Sequence, residues 1–391
     1  MDKNSSVATL VNCYGCGVCA LACNRNVISM VRNTDGFYEP LVNDDKCVHC
    51  GLCLKVCSFY SINQIPTRTV TNAYAAYSID QENRFQSSSG GVAFEFGNWA
   101  IQNGFKVCGA RYNAELYRVE HYIAETIKEL EQSRGSKYLQ SFTLTGFEHF
   151  KKDSKYLVIG TPCQIASLRQ FIRLFHREED FILVDFFCHG VPSYLLWEKY
   201  IKEKQSTIGQ IQHASWRGKQ NGWHDSWLLE LHGKQGTIQS WHSKGDLFYK
   251  YFLRHRCLNA CCFDSCRFKS TYSDADLRIG DLWGSKYQTN IEGVSGLLEY
   301  TDKGHELIEN IRSRLELIPE TEEVIIEGQL KKRPRRSSAF WYVFPKLKST
   351  VPLEEIDKKT SYIEYIFDII PNKIHYFSKR IPEIILNGFK R

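Results

Sequence analysis

The chain has 391 residues, a mass of 45.4 kDa and a formal net charge of +6, with 43% hydrophobic and 24% charged residues. That length predicts two or three domains, and the composition excludes disordered and fibrous classes. No apolar run approaches the ~18 residues of a membrane span, and the opening MDKNSSVATLVN lacks the apolar stretch of a secretory signal, so a cytoplasmic location is expected. Fifteen cysteines are the anomaly. In a reducing compartment, clustered thiols point to metal rather than to disulfides.

The first elements are two cysteine runs, Cys13-x2-Cys16-x2-Cys19-x3-Cys23 and Cys47-x2-Cys50-x2-Cys53-x3-Cys57. This is the two-cluster ferredoxin spacing, in which three close thiolates hold one cubane and the fourth cysteine crosses to the other. Cys13, Cys16, Cys19 and Cys57 are thereby assigned to one [4Fe-4S] cluster, and Cys47, Cys50, Cys53 and Cys23 to the second. Gly15, Gly17 and Gly51 let the backbone wrap closely round the sulfurs. The segment between the runs predicts a short hairpin turning at Asp35-Gly36. The proline that usually follows the fourth cysteine is replaced by Asn24 and Ser58.

Residues 62–72 form a polar, proline-bearing linker. Beyond it, NAYAAYSID reads as a strand, SSSGG (87–91) as a turn, VAFEFGNWAIQNG as a helix ended by Gly104, FKVCGARYN as a strand and TIKELEQSRG as a helix. KYLVIG (155–160) is a buried-type strand, TPCQ a turn and IASLRQFIRLF a helix. FILVDFFCHGVP (181–192) then repeats the scheme of strand and cysteine-bearing turn before a further helix. Alternating strands and helices imply an α/β fold with a mainly parallel sheet. In such sheets ligands bind beyond the carboxyl ends of the strands, where Cys163, Cys188 and Asp281 all fall. GVSGLLEYTDKGHELIENIRSRLELI (293–318) follows as a strand and an amphipathic helix.

The second cysteine group, Cys257-x3-Cys261-Cys262-x3-Cys266, does not repeat the ferredoxin spacing. It could hold a third cubane together with Cys163 or Cys188, hold zinc, or supply small buried hydrophobes. Cys108, inside an apolar strand, reads as core. Cys163 at a helix start could instead be a reactive thiol of depressed pKa, the basis of a cysteine-dependent transferase. SSSGG opening a helix and RGSKYLQS with Lys137 suit a phosphate cradle, and WRGKQNGWHDSW (216–227) would wall the crevice with aromatic and basic groups. Residues 1–327 carry 36 basic against 38 acidic residues, which argues against a nucleic-acid partner.

The combination SSSGGVAFEF, GSKYLQS, GTPCQIASL, CHGVPS and DLRIGDLWG resembles the coenzyme F420 hydrogenase/dehydrogenase beta-subunit family over residues 75–284, with a ferredoxin module fused in front. The resemblance implies an iron–sulfur flavoprotein oxidoreductase: FAD, an additional [4Fe-4S] cluster, and electron exchange with a deazaflavin, a ferredoxin or a sugar-pathway substrate in surface polysaccharide synthesis. It places the flavin against Ser88, Ser89, Gly90, Gly91, Gly135, Ser136, Lys137, Tyr138, Gly160, Thr161, Pro162 and Gln164. The organisation it implies is an α+β two-cluster ferredoxin module (1–64), an α/β flavin-binding domain with a mainly parallel sheet (73–327) and a basic C-terminal extension (328–391). A different class of reading is an adaptor that lacks substrate chemistry and docks onto a partner enzyme. The extension carries 14 basic against 6 acidic residues and suggests peripheral contact with an anionic membrane or an acidic partner.

Overall fold

The computed structural model describes residues 6–10, 12–61 and 68–370. The expected linker residues 62–67 and the tail 371–391 lie outside them. The two cysteine runs fold as matched halves. Each enters a one-turn helix, Val18–Leu21 or Leu52–Lys55, through a left-handed glycine, Gly17 (φ 74°) or Gly51 (φ 73°). A side chain at either position would strain the loop that brings successive cysteines to one side. Between them β1 (Ile28–Arg32) and β2 (Tyr38–Val42) pair antiparallel, Ile28 opposite Val42, as the hairpin reading expected.

The remaining strands are β3 (Asn72–Ser78), β4 (Phe105–Asn113), β5 (Arg118–Ala124), β6 (Lys155–Gly160), β7 (Phe181–Phe186), β8 (Ile211–Ser215), β9 (Leu228–Gly233), β10 (Gly236–Trp241), β11 (Leu277–Asp281), β12 (Ser295–Glu299) and β13 (Leu315–Pro319). Eight of them form one sheet in the order β13-β3-β12-β11-β7-β6-β4-β5. Parallel pairing is confined to the centre, β4 to β6 to β7 to β11, with Val107 opposite Leu157 and Leu157 opposite Ile182. Helices Val92–Gln102 and Pro162–Leu174 cover this centre, so its strands are near-continuous apolar runs. Both flanks are antiparallel: β4 turns directly into β5, and β3 lies between β12 and β13. The sheet is therefore mixed. A separate three-stranded sheet, β10-β9-β8, follows the helix Tyr194–Ile208.

The helix expected after a TPCQ turn begins inside it. Pro162 occupies the first helical position, where its missing N–H costs nothing, and Cys163 is carried in the first turn. The largest core joins parts that are distant in sequence: Met30 and Phe37 of the hairpin, Trp197 and Tyr249 of the middle, and Val343, Leu353 and Ile356 of the C-terminal helices. Residues 340–364 thus pack on the body of the protein. The ferredoxin module is also locked by polar contacts. Gln140 donates to the Tyr14 carbonyl (3.0 Å) and accepts from the Tyr38 N–H (2.7 Å), and Thr143 donates to the Cys16 carbonyl (2.9 Å).

In the middle of the sheet Arg278 grips Asp185 with two parallel bonds of 2.7 and 2.8 Å, both side chains fully buried. Arg278 also donates to the Ser270 and Tyr272 carbonyls. Breaking a buried pair from one side leaves a charge without a partner. Arg278→Met should cost about 3–5 kcal/mol, seen as a lower denaturation midpoint under anaerobic conditions, and Asp185→Leu with Arg278→Met should recover most of it.

Candidate functional site

The eight N-terminal cysteines converge from both runs. Burial raises the Cys19 thiol well above its ordinary pKa, followed by the neighbouring thiols Cys16, Cys13 and Cys57. Cys13 is raised in the same way by burial, Cys16 and then Cys57. Cys57, from the second run, is pushed up to about 12 by burial and Cys16. Cys57 of the second run thus lies near Cys16 and Cys19 of the first, the neighbourhood that the crossed assignment needs. Cys53 neighbours Cys50, and Cys50 is the one exposed thiol of the fifteen.

A second thiol group forms where the carboxyl ends of β6 and β7 meet the loop after Arg256. The Cys163 thiol is raised well above its ordinary value by burial, then by Cys188 and Cys266, and Cys262 feels burial, Cys188 and Cys266. Cys163, Cys188, Cys262 and Cys266 line one small cavity with Cys261, Tyr14 and Lys269. Lys269 is 7% exposed and donates to the Cys188 carbonyl at 2.5 Å and the His189 carbonyl at 3.2 Å. No carboxylate forms an ion pair with it among the described residues. A buried ammonium beside four thiols suits an anionic occupant of that cavity.

Two expectations are corrected here. Cys257, counted among the metal ligands, is fully buried in the largest core and lines neither cavity of the site, because the chain passes inward before the short helix Ala260–Asp264 turns the next cysteines to the cavity. The Cys163 thiol is not depressed: burial and then Cys188 raise it more than the Thr161 hydroxyl (3.2 Å) lowers it. Cys261 points between the two groups, its thiol pushed up to about 12 by burial and neighboured by Asp264, Cys266 and Cys57. Cys108 is fully buried in β4, as expected of a core residue.

A cavity of about 620 Å³ adjoins the second thiol group and shares Thr161, Gln164, Cys188, Phe268 and Lys269 with it. It opens beyond the carboxyl ends of β6, β7 and β11, the crevice the strand order predicts. Two of the expected segments touch across it: Ser88 Oγ accepts from the Ser136 N–H at 2.8 Å and from the Ser136 hydroxyl at 3.0 Å. Gly91 (φ 83°) starts the helix Val92–Gln102, whose first turn lines the cavity and is capped by no side chain. Lys137 lies deep in the wall, donating to the Arg134 and Gly135 carbonyls at 2.9 and 3.1 Å. Burial lowers its pKa to about 7. Gly90 and Pro162 do not line this cavity. A side chain at Gly90 would meet the Ala76 carbonyl, and Pro162 faces the smaller cavity.

The 216–227 segment supplies a residue whose place sequence spacing could not give. Arg217 donates to Asp281 (2.9 Å), the Tyr138 hydroxyl (3.1 Å) and the Ser88 carbonyl (2.9 Å). Its guanidinium lies over the Trp227 and Trp283 rings, and Trp227 stacks on Tyr138 at 5.1 Å. Trp223 Nε1 donates to the same Asp281 carboxylate at 3.0 Å. Asp281 is therefore engaged in holding the wall, and Arg217 joins both expected cradle segments. Lys219 completes the clamp with bonds to the Arg84, Ser89 and Glu292 carbonyls.

Residues 153–323 match the family model for the C terminus of the coenzyme F420 hydrogenase/dehydrogenase beta subunit, and residues 12–60 match that of the 4Fe-4S dicluster domain. A coenzyme F420-dependent sulfite reductase of Methanocaldococcus jannaschii is 26% identical over 163 residues, covering 40% of this chain and 25% of that protein. The chain thus spans about a quarter of the length of that relative. A solved chain of the F420-reducing [NiFe] hydrogenase complex from Methanosarcina barkeri is 17% identical with a TM-score of 0.47, covering 76% of this chain and 91% of that one. No described helix is long and apolar enough to cross a membrane. Residues 12–60 are thus similar to a 4Fe-4S dicluster domain, and residues 153–323 to the C-terminal part of the coenzyme F420 hydrogenase/dehydrogenase beta subunit.

Proposed function

We propose that the protein is an iron–sulfur flavoprotein oxidoreductase in which the 620 Å³ cavity holds FAD and the second thiol group holds a third [4Fe-4S] cluster. The observation that carries this reading is the shared wall: four thiols that line one small cavity and a buried Lys269 stand directly beside a larger cavity whose wall includes the phosphate-cradle turn. Flavin exchanges two electrons with hydride donors and one at a time with clusters, and that chemistry belongs to the cofactor. The chain's own residues supply distance, orientation and charge. The uncapped helix start, Ser88, Ser136 and Lys137 would meet the anionic end of the ligand, while Arg217 braces that cradle through the Ser88 carbonyl and the Tyr138 hydroxyl, beside the stacked Tyr138–Trp227 pair. Tyr14, next to Cys13, donates to the Ser265 carbonyl at 3.0 Å and fixes the step between the first cluster and the second thiol group.

The electron carrier or substrate at the cavity is a deazaflavin, a ferredoxin or a sugar-pathway intermediate; the first is supported by the description of the matched family and by the name of the sulfite reductase relative. A second reading, an adaptor that passes electrons to a partner enzyme, is favoured by the exposure of Cys50 at the outer end of the wire. The adaptor requires that partner before any small molecule is turned over. The flavoprotein reduces an artificial one-electron acceptor alone.

Anaerobic purification with metal and flavin analysis tests the assignment: about twelve irons and one FAD per chain are expected, and about eight irons with one zinc would reassign the second group. Cys262→Ala should remove about four irons and keep the rest, whereas Cys257→Ala should leave iron content unchanged and lower stability only. Lys137→Met should weaken FAD binding at least about tenfold, the loss of one buried charge-assisted contact. Because Lys137 is half-neutral near pH 7, binding an anionic group there takes up a proton above that pH. FAD affinity in the wild type should therefore fall as pH rises from about 7 to about 9, and the Lys137→Met variant should lose this dependence, as read by flavin fluorescence titration.

A further inference from the structure

Residues 331–336, KKRPRR, cross the surface as a strap with Lys331, Lys332, Arg333, Arg335 and Arg336 exposed and Pro334 buried beneath them. Arg333 donates to the Asp264 carbonyl, Arg336 pairs with the Asp264 carboxylate at 2.5 Å, and His255 Nδ1 donates to the Arg335 carbonyl at 3.2 Å. These bonds fix the backbone of the strap in place. The pair with Asp264 is the one ion pair the strap makes among the described residues. Four of its five cations therefore face solvent without a salt-bridge partner among those residues.

Large aromatic residues are exposed beside it. Trp341 is 75% exposed, and the Arg336 guanidinium lies 5.9 Å from its ring. Ser338 donates through its N–H and hydroxyl to Asp368 at 3.1 and 3.0 Å, which brings the end of the C-terminal helical run against this segment. That run exposes Tyr362 (67%), Tyr365 (50%) and Phe367 (65%). Clustered exposed hydrophobes mark an interaction site rather than ordinary surface. Tryptophan, tyrosine and phenylalanine beside lysine and arginine is the composition of a surface seated at a bilayer's headgroup level. Protein interfaces share the enrichment in arginine and aromatic rings but are depleted in lysine, whereas Lys331 and Lys332 are exposed beside these rings; neither cavity of the site receives the rings.

We propose that this corner, the 331–336 strap with Trp341 and the exposed rings of residues 362–367, docks the protein on an anionic lipid bilayer. The cations supply attraction to headgroups and the rings supply the short-range anchor. The proposal is independent of the cofactor assignment above.

Flotation of the full anaerobically purified chain with vesicles of phosphatidylcholine, alone or with one-third phosphatidylglycerol, tests it at low and high ionic strength. Binding is expected to anionic vesicles, weakening with salt. Removing three charges, K331Q/K332Q/R335Q, should lower vesicle affinity at least about tenfold, and W341A/F367A should lower it at both salt levels. Unchanged iron content in each variant shows that it has folded. Flotation of the variants equal to wild type, or no flotation of wild type with anionic vesicles, would overturn the assignment. Charge-dependent retention on immobilised polyaspartate without flotation would also overturn it, making the corner a dock for an acidic protein.

Discussion

The Asp185–Arg278 pair is the constraint on which the site depends. It joins adjacent parallel strands, and Arg278 reaches beyond its partner to hold the carbonyls of Ser270 and Tyr272. Those residues follow Cys266 and Lys269, so the loop that carries the second thiol group is anchored through the sheet as well as by the bonds of Lys269 to the Cys188 and His189 carbonyls. Asp185 also precedes Cys188 by three residues, at the end of the same strand. One buried ion pair thus sets both the strand end and the loop that face each other across the thiol cavity. Such a pair adds little net stability compared with an apolar core. What it contributes here is register.

The ferredoxin module and the α/β domain behave as one mechanical unit. Gln140 bonds to the first cysteine run at Tyr14 and to the hairpin at Tyr38, and a side chain at Gly15 would collide with it. Ser58, immediately after Cys57, donates to the Cys163 carbonyl at 3.2 Å and accepts from Ser167 at 2.7 Å. Contacts of this kind hold the spacing between thiol groups to within the play of a hydrogen bond, a tolerance that a flexible tether would not give.

The cysteine runs were legible in the sequence because cluster ligation is mostly local: two-residue gaps and left-handed Gly17 and Gly51 determine the loop regardless of what surrounds it. The strand ends at Gly160 and Phe186 were legible for a similar reason, since buried parallel strands are short apolar runs. The antiparallel flanks were harder. RVEHYIA in β5 interrupts its apolar pattern with Glu120 and His121, both buried, the first because Arg111 and Arg118 pair with it. Spacing could not separate Cys257 from Cys262 either. Their fates differ through tertiary packing, one facing aromatic core and the other the cavity. Arg217 was hidden for the same reason, because its partners Tyr138, Asp281 and Ser88 come from three distant segments.

The uneven shelter of the thiols has a consequence for survival in air. Cys16, Cys19, Cys53 and Cys57 are buried and Cys163, Cys188, Cys262 and Cys266 are half-buried, whereas Cys50 stands in solvent. Oxygen and peroxide therefore meet the chain first at the run containing Cys50.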